Sequence, residues 1–360
     1  MMSGERAEEY YNMGNRFAEE KEFLDAIASF ERAIEIDPLY SKAWTAKGRL
    51  LLLLLSDREA LDCFRKAVEI DPDSTEAWLN IGSVLVYQGE FDDALSAYND
   101  IIINHPENSQ GYLGKGWALL RMGRPGESME CFDSAIALSP DDDTMWFSKC
   151  CALEELGKYS EALDAVKRSI QISPDKSDAW SSRVRLEIKL GYIEDAIHTY
   201  DEIIGFRPDD AELQYEKANL LFSTGLKEES LFSCNEALKI TPDYHEAWIL
   251  KGKILESQCN ETQALEAFEK ATSLYISSVE GWDGRRRLYE SGGEIENALR
   301  SAEMLTKIEP DDPFFWLYKA KYLHYLDRND ESLLAIKKLK RLTENNSEIN
   351  EEIKKYWPLL

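Results

Sequence analysis

TEAWLNIGSVLVYQGEFDDALSAYNDIIINHPEN, residues Thr75 to Asn108, carries the pattern that recurs through this chain. Trp78, Ile81, Gly82 and Leu85 fall on one helical face, Gly89 interrupts the run, and Ala94, Tyr98 and Ile101 begin a second helix. Pro106 closes the unit, because proline has no N–H with which to continue a helix and disfavours helix before it. The same proline stands at Pro38, Pro72, Pro140, Pro174, Pro208 and Pro242, always 34 residues apart, gives way to Ile276, and returns at Pro310. A period this strict marks a tandem repeat of helix pairs. It predicts an all-α solenoid with one elongated core and no separable domains.

Ten units begin at Ala7, Ser41, Thr75, Ser109, Asp143, Ser177, Ala211, His245, Val279 and Pro313, after a polar lead over residues 1–6. The tenth ends at Asn346. Residues 347–360 are expected to form a helix and tail capping the open end of the stack, since Ser347 to Trp357 place Ile349, Ile353 and Tyr356 or Trp357 at helical spacing. Position 4 of the unit is aromatic in all but the seventh, where Gln214 stands, so each unit offers one packing socket. Position 8 is Gly14, Gly48, Gly82, Gly116 or Gly252, and elsewhere Cys150, Val184, Ala218, Arg286 or Ala320. A missing side chain there lets a neighbouring helix come close, so Arg286 is expected to loosen the contact. Position 20 is always Ala or Ser, and position 24 is aromatic in Phe30, Phe64, Tyr98, Phe132, Tyr200 and Phe268. Glycine at Gly89, Gly123, Gly157, Gly191, Gly225 and Gly293 occupies the turn between the helices, where a positive φ costs it nothing.

Composition narrows the function. In 360 residues, 42 Lys and Arg face 68 Asp and Glu, and a net charge of −26 repels nucleic acid and anionic lipid. The run Leu50 to Leu55 is far shorter than the ~20 residues that span a bilayer, and is expected within a buried helix. Six cysteines lack C-x-x-C spacing and no N-terminal apolar segment resembles a signal peptide, so a reduced, cytoplasmic chain is expected.

The aromatic, Gly, Ala, Phe, Ala and Pro at these positions resemble the tetratricopeptide repeat, and the resemblance covers residues 7–346. It implies a right-handed superhelix of antiparallel helix pairs whose first helices line a concave groove. The basic seventh position, Lys47, Lys115, Lys149, Arg183, Lys217, Lys251, Arg285 and Lys319, also resembles tetratricopeptide proteins of methanogenic archaea. Its simplest role is structural, with the aliphatic stem packed between helices and the charge reaching water.

Positions 2, 5, 9 and 12 form a stripe beside the core, which the family resemblance turns toward the groove. In the middle units the stripe is apolar: Leu79, Val86, Leu113, Trp117, Leu120 and Phe147, with Tyr215 and Phe222 further along. Position 9 is basic at Arg49, Arg185, Lys253, Arg287 and Lys321. These residues point to a protein or peptide segment with apolar anchors and an acidic flank. The alternatives are that the apolar groups tuck into the next unit's core, and that acids such as Glu246, Glu280, Asp283 and Glu290 neutralise the cations.

Some members of the family grip a chaperone's C-terminal carboxylate with a fixed set of Lys, Asn and Arg positions. Here Asn15, Tyr11 and Ala46, or Thr45, Arg49 and Asn80, match that set in no register. The four histidines are scattered, so neither a catalytic nor a metal site is expected, and no cofactor. A redox role for Cys150 and Cys151 is the weaker enzyme alternative. Crowded aromatics in the tenth unit and the ending Tyr356-Trp357-Pro-Leu-Leu360 raise self-association through residues 313–360 as a further reading.

Overall fold

The computed structural model describes residues 2–343, which form twenty α-helices. The first helices of the ten repeats are Met2–Glu19, Ser41–Leu53, Thr75–Gln88, Ser109–Arg121, Asp143–Glu155, Ser177–Leu190, Ala211–Ser223, His245–Ser257, Val279–Ser291 and Pro313–Tyr325. The second helices are Phe23–Ile36, Asp57–Ile70, Phe91–Asn104, Pro125–Leu138, Tyr159–Ile172, Ile193–Phe206, Lys227–Ile240, Glu261–Leu274, Ile295–Ile308 and Asn329–Leu342. The two helices of a repeat pack as an antiparallel pair, as the family resemblance implies. Two compact bodies result, one up to Ala196 and one from Ile197. The helix expected over residues 347–360 lies outside the described residues.

Close approach within a pair follows from complementary residues at positions 8 and 24. A Cβ built on Gly14 or Gly48 would lie 2.6 Å from the ring of Phe30 or Phe64, and one on Gly82 would lie 2.5 Å from Tyr98. Where position 8 carries a side chain, position 24 usually shrinks, as with Cys150 and Val166, Ala218 and Cys234, or Arg286 and Ala302. The residue at position 20 is fully buried at Ala26, Ala60, Ala94 and Ala264, at the crossing where bulk would hold the helices apart.

Arg286 does not loosen its repeat. It is 5% exposed, and its guanidinium donates from Nε to Asp283 (2.7 Å) and from Nη1 to Glu290 and to the Tyr322 hydroxyl (both 2.8 Å). The same group lies 3.8 Å from the ring centroid of Tyr318 in the next repeat. Burial opposes the charge, but Asp283 and Tyr322 outweigh it and hold the guanidinium above the ordinary arginine value.

The position-4 tryptophans join one repeat to the next. The indole Nε1 of Trp44, Trp78, Trp146, Trp180, Trp248 and Trp316 donates to the carbonyl of the proline six residues earlier, at 2.8 to 3.1 Å. Trp282 does the same to Ile276 at 2.7 Å, so replacing that proline keeps the bond, whose acceptor is the backbone. Position-7 cations lie against several of these rings, Lys149 on Trp146, Lys251 on Trp248 and Arg285 on Trp282, for example. Several also reach an acid in the preceding second helix: Lys47 to Glu31 at 2.8 Å, Lys149 to Asp133 at 2.6 Å and Lys217 to Asp201 at 2.5 Å. The charge of Lys149 is therefore paired as well as packed.

The turn glycines have φ between +72° and +85°. The same position holds Lys21, Leu55, Cys259 and Asp327 in the four repeats without glycine, each at φ near +60°. The leucine run is correspondingly split: Leu50 and Leu51 are buried, the helix ends at Leu53, and Leu53 and Leu55 are 64% and 87% exposed. The expectation that all six lie within a buried helix fails because the last two fall in the turn. Leu55→Gly relieves the left-handed strain and loses little packing, so it should stabilise the protein by about 0.5 to 1 kcal/mol, net of glycine's greater unfolded-state entropy. Urea unfolding of the variant beside the wild type measures this, and a loss of stability would contradict it.

Candidate functional site

The first helices place positions 2, 5, 9 and 12 beside the core residues at positions 4, 8 and 11, and their surroundings differ from repeat to repeat. Leu113 belongs to the core with Phe132 and Met145 and offers no free surface. Trp117 is half-buried, its ring edge-on to Phe132 at 6.0 Å and its Nε1 donating to Ser148 Oγ in the next repeat at 3.0 Å. Leu120 packs beside it. Leu79 and Val86 lean on the core of repeats two and three, and Phe147 is half-buried. In the second body, Tyr215 and Phe222 pack on the core around Cys234, and the Tyr215 ring meets Tyr244 at 5.1 Å. The apolar stripe is therefore mostly half-buried, with its outer edges toward solvent.

The five cations at position 9 are neutralised by acids of adjoining repeats. Arg49 bonds Glu76 at 2.9 Å and Lys253 bonds Glu280 at 3.2 Å, each reaching position 2 of the following repeat. Arg185 grips Glu154, Arg287 grips Glu256 through two parallel bonds at 3.0 and 2.9 Å, and Lys321 bonds Glu290 at 2.6 Å, each reaching position 12 of the preceding repeat. Instead of a continuous basic track, the face carries a ladder of ion pairs that ties neighbouring first helices together. Exposed members of such a ladder are worth only about 0 to 1 kcal/mol each, so they set register more than stability.

Between the first helices of repeats one to three lies a cleft of about 320 Å³, with Leu50 and Leu53 on its apolar side and Asn15, Asn80 and Arg49 among its polar groups. Asn80 Nδ2 donates to the carbonyl of Glu76 at 2.8 Å, while Arg49 is well exposed beside Glu76. Asn15 stands on the stripe, at position 9, whereas Asn80, at position 6, is the residue that stripe periodicity overlooks. The signal of Asn80 is a carboxamide at a position where repeats two, four, five, six and nine carry Ala, Gly or Ser.

Reactive chemistry finds little support. Burial, reinforced by Glu154, pushes the Cys150 thiol up and the Cys151 thiol up to about 11, so both stay protonated at neutral pH. Among the described residues, no cluster of three or more His, Cys, Asp or Glu could hold a metal ion, and no helix is long and apolar enough to cross a membrane.

Antiparallel helix pairs in tandem, indoles bonded across repeat boundaries and a side-chain-lined face along the first helices together define an all-α repeat protein. The tetratricopeptide repeat family matches residues 11–75, 79–143, 113–177 and 153–220, and single repeats match 211–244 and 245–275. The chain belongs to the tetratricopeptide repeat family. No curated protein matches it. Among solved structures, it is similar to PilW, a widely conserved type IV pilus biogenesis factor, with a TM-score of 0.53, 19% identity, and coverage of 58% of this chain and 96% of that one. It is similar to pilF of Pseudomonas aeruginosa with a TM-score of 0.51 and 19% identity, over 61% of this chain and all of the other. A tetratricopeptide repeat protein from Parabacteroides merdae is similar over 70% of this chain and 99% of its own, at 17% identity and a TM-score of 0.49. At these identities the first two likenesses establish the fold. Proteins of the family generally mediate protein–protein interactions and are typically non-enzymatic.

Proposed function

We propose that this chain is a scaffold without catalytic activity that captures a segment of another protein on the face of its first helices, seated in the cleft of repeats one to three. The cleft carries the reading. It pairs the exposed Leu53, backed by the buried Leu50, with the carboxamides of Asn15 and Asn80, which can donate to and accept from the backbone of an extended segment. Arg49 sits at the same cleft, and an acidic flank on the partner would compete with Glu76 for it. The half-buried edges of Leu79, Val86, Leu120 and Phe147 extend the apolar surface along the first body.

Affinity capture followed by mass spectrometry tests this with variants chosen to leave the fold intact. Leu53→Asp and the double variant Asn15→Ala/Asn80→Ala should each reduce recovery of the principal partner by about tenfold or more, the size expected for losing an anchor or two hydrogen bonds. Asp164→Ala, on a second helix, should leave recovery unchanged. Equal recovery by all three would rule out the cleft.

A further inference from the structure

Beyond the first-helix face, the second body has another cleft, of about 540 Å³, bounded by the second helices of repeats six and seven and the first helix of repeat seven. Leu221 lies buried at its base, Ile197 is half-buried and the Phe232 ring is 66% exposed. Phe232 stands at position 22 of its repeat, where repeats six and eight, on either side, carry His198 and Glu266. An exposed aromatic at a site that its neighbours keep polar is not required by the stack.

Glu228 and Glu229 precede Phe232 by one helical turn and line the same cleft, and both are exposed. Neither makes an ion pair among the described residues. Asp201 lines the cleft too, with its carboxylate engaged by Lys217 at 2.5 Å. The cleft thus combines an exposed aromatic ring with two uncommitted carboxylates. Its charged rim favours Lys or Arg, whose aliphatic stems also lie well along a phenyl face.

We propose that this cleft is a second docking surface, which takes a basic peptide segment carrying one apolar side chain, the apolar group lying on Phe232 and the cations on Glu228 and Glu229. The proposal is independent of the first-helix reading, since it uses different helices and the opposite charge of ligand. Glu228 and Glu229 at the cleft's rim repel an acidic occupant here.

The full-length protein, immobilised, is offered a short-peptide library with leucine at the centre and Lys, Arg, Ser or Ala elsewhere, and a mirror library with Asp and Glu in place of Lys and Arg. Selective retention of the basic library is expected, weakening as salt is raised. Phe232→Ser should lower the affinity of the best peptide by about tenfold, and Glu228→Lys/Glu229→Lys by more, while the matched charge change Asp92→Lys/Asp93→Lys at the same positions of repeat three leaves it unaltered. Equal retention of both libraries, no saturable binding, or binding indifferent to Phe232→Ser would overturn the proposal. So would a sedimentation mass of two chains that falls to one with Phe232→Ser, because the occupant would then be a second copy. Loss of first-helix binding in Leu53→Asp leaves this test unaffected, so the two readings fail separately.

Discussion

Arg286→Ala is expected to destabilise repeats nine and ten by about 3 to 5 kcal/mol, the cost of removing one partner from a buried charge network. Repeat statistics alone would predict the opposite, since alanine is what repeats seven and ten hold at this position, as Ala218 and Ala320. The difference lies in what has grown around the guanidinium. Asp283, Glu290 and the Tyr322 hydroxyl are oriented on it, Tyr318 stacks against it, and Ala302 leaves the space it fills. Hydrogen exchange should show faster opening confined to Val279–Ser291 and Pro313–Tyr325, because a repeat array loses stability locally. A variant as stable as the wild type would show that the network is only tolerated. The same network makes this end of the chain acid-sensitive. Burial alone would raise the Glu290 pKa, but hydrogen bonds from Lys321 and Tyr322, with the charges of Lys321 and Arg286, lower it overall. A depressed folded pKa contributes stability above the unfolded carboxylate value of about 4.3, and that contribution disappears as pH falls through the lower folded value.

Gly82→Cys should cost about 2 to 3 kcal/mol, because the new side chain would occupy space held by the Tyr98 ring. That ring has little room to yield, since Gly114 of the next repeat abuts it as well. In a Tyr98→Val background the same substitution should cost less than about 0.5 kcal/mol, as the added sulfur fills part of the void. The pair then matches the one repeat five already uses, Cys150 with Val166. Chemical denaturation of the four proteins in this cycle measures the coupling, and an equal cost in both backgrounds would mean that the two positions do not constrain each other.

Much of the fold could be read from residues alone, because the features that build it are local. Positive-φ turns at Gly89 or Gly157, the small residue at position 20 and the position-8 glycine each satisfy a demand made within one repeat or by its nearest neighbour. The tryptophans at position 4 were visible as sockets, whereas their bond to the preceding proline carbonyl depends on where the indole nitrogen points. The candidate site was less legible. A stripe at positions 2, 5, 9 and 12 brings Leu113 and Phe147 to adjoining first helices, yet one side chain is in the core and the other only half-buried. A rotation of the helix by a fraction of a turn decides between these outcomes, and periodicity is blind to it.

By itself, the sequence determined that this chain is a tandem array of helix pairs, where each helix turns, and which positions must be small, aromatic or glycine. Those are steric requirements that recur from repeat to repeat, so one consistent solution satisfies them all. Only the tertiary structure decided which charges meet. Arg49 chooses Glu76 in the repeat after it, while Arg185 chooses Glu154 in the repeat before it, although both stand at position 9. Tertiary structure likewise left Phe232 beside two unpaired acids and enclosed Arg286 among its partners. Each of these outcomes depends on side chains from different helices arriving at one point, and that distance is set by how the repeats pack rather than by their spacing along the chain.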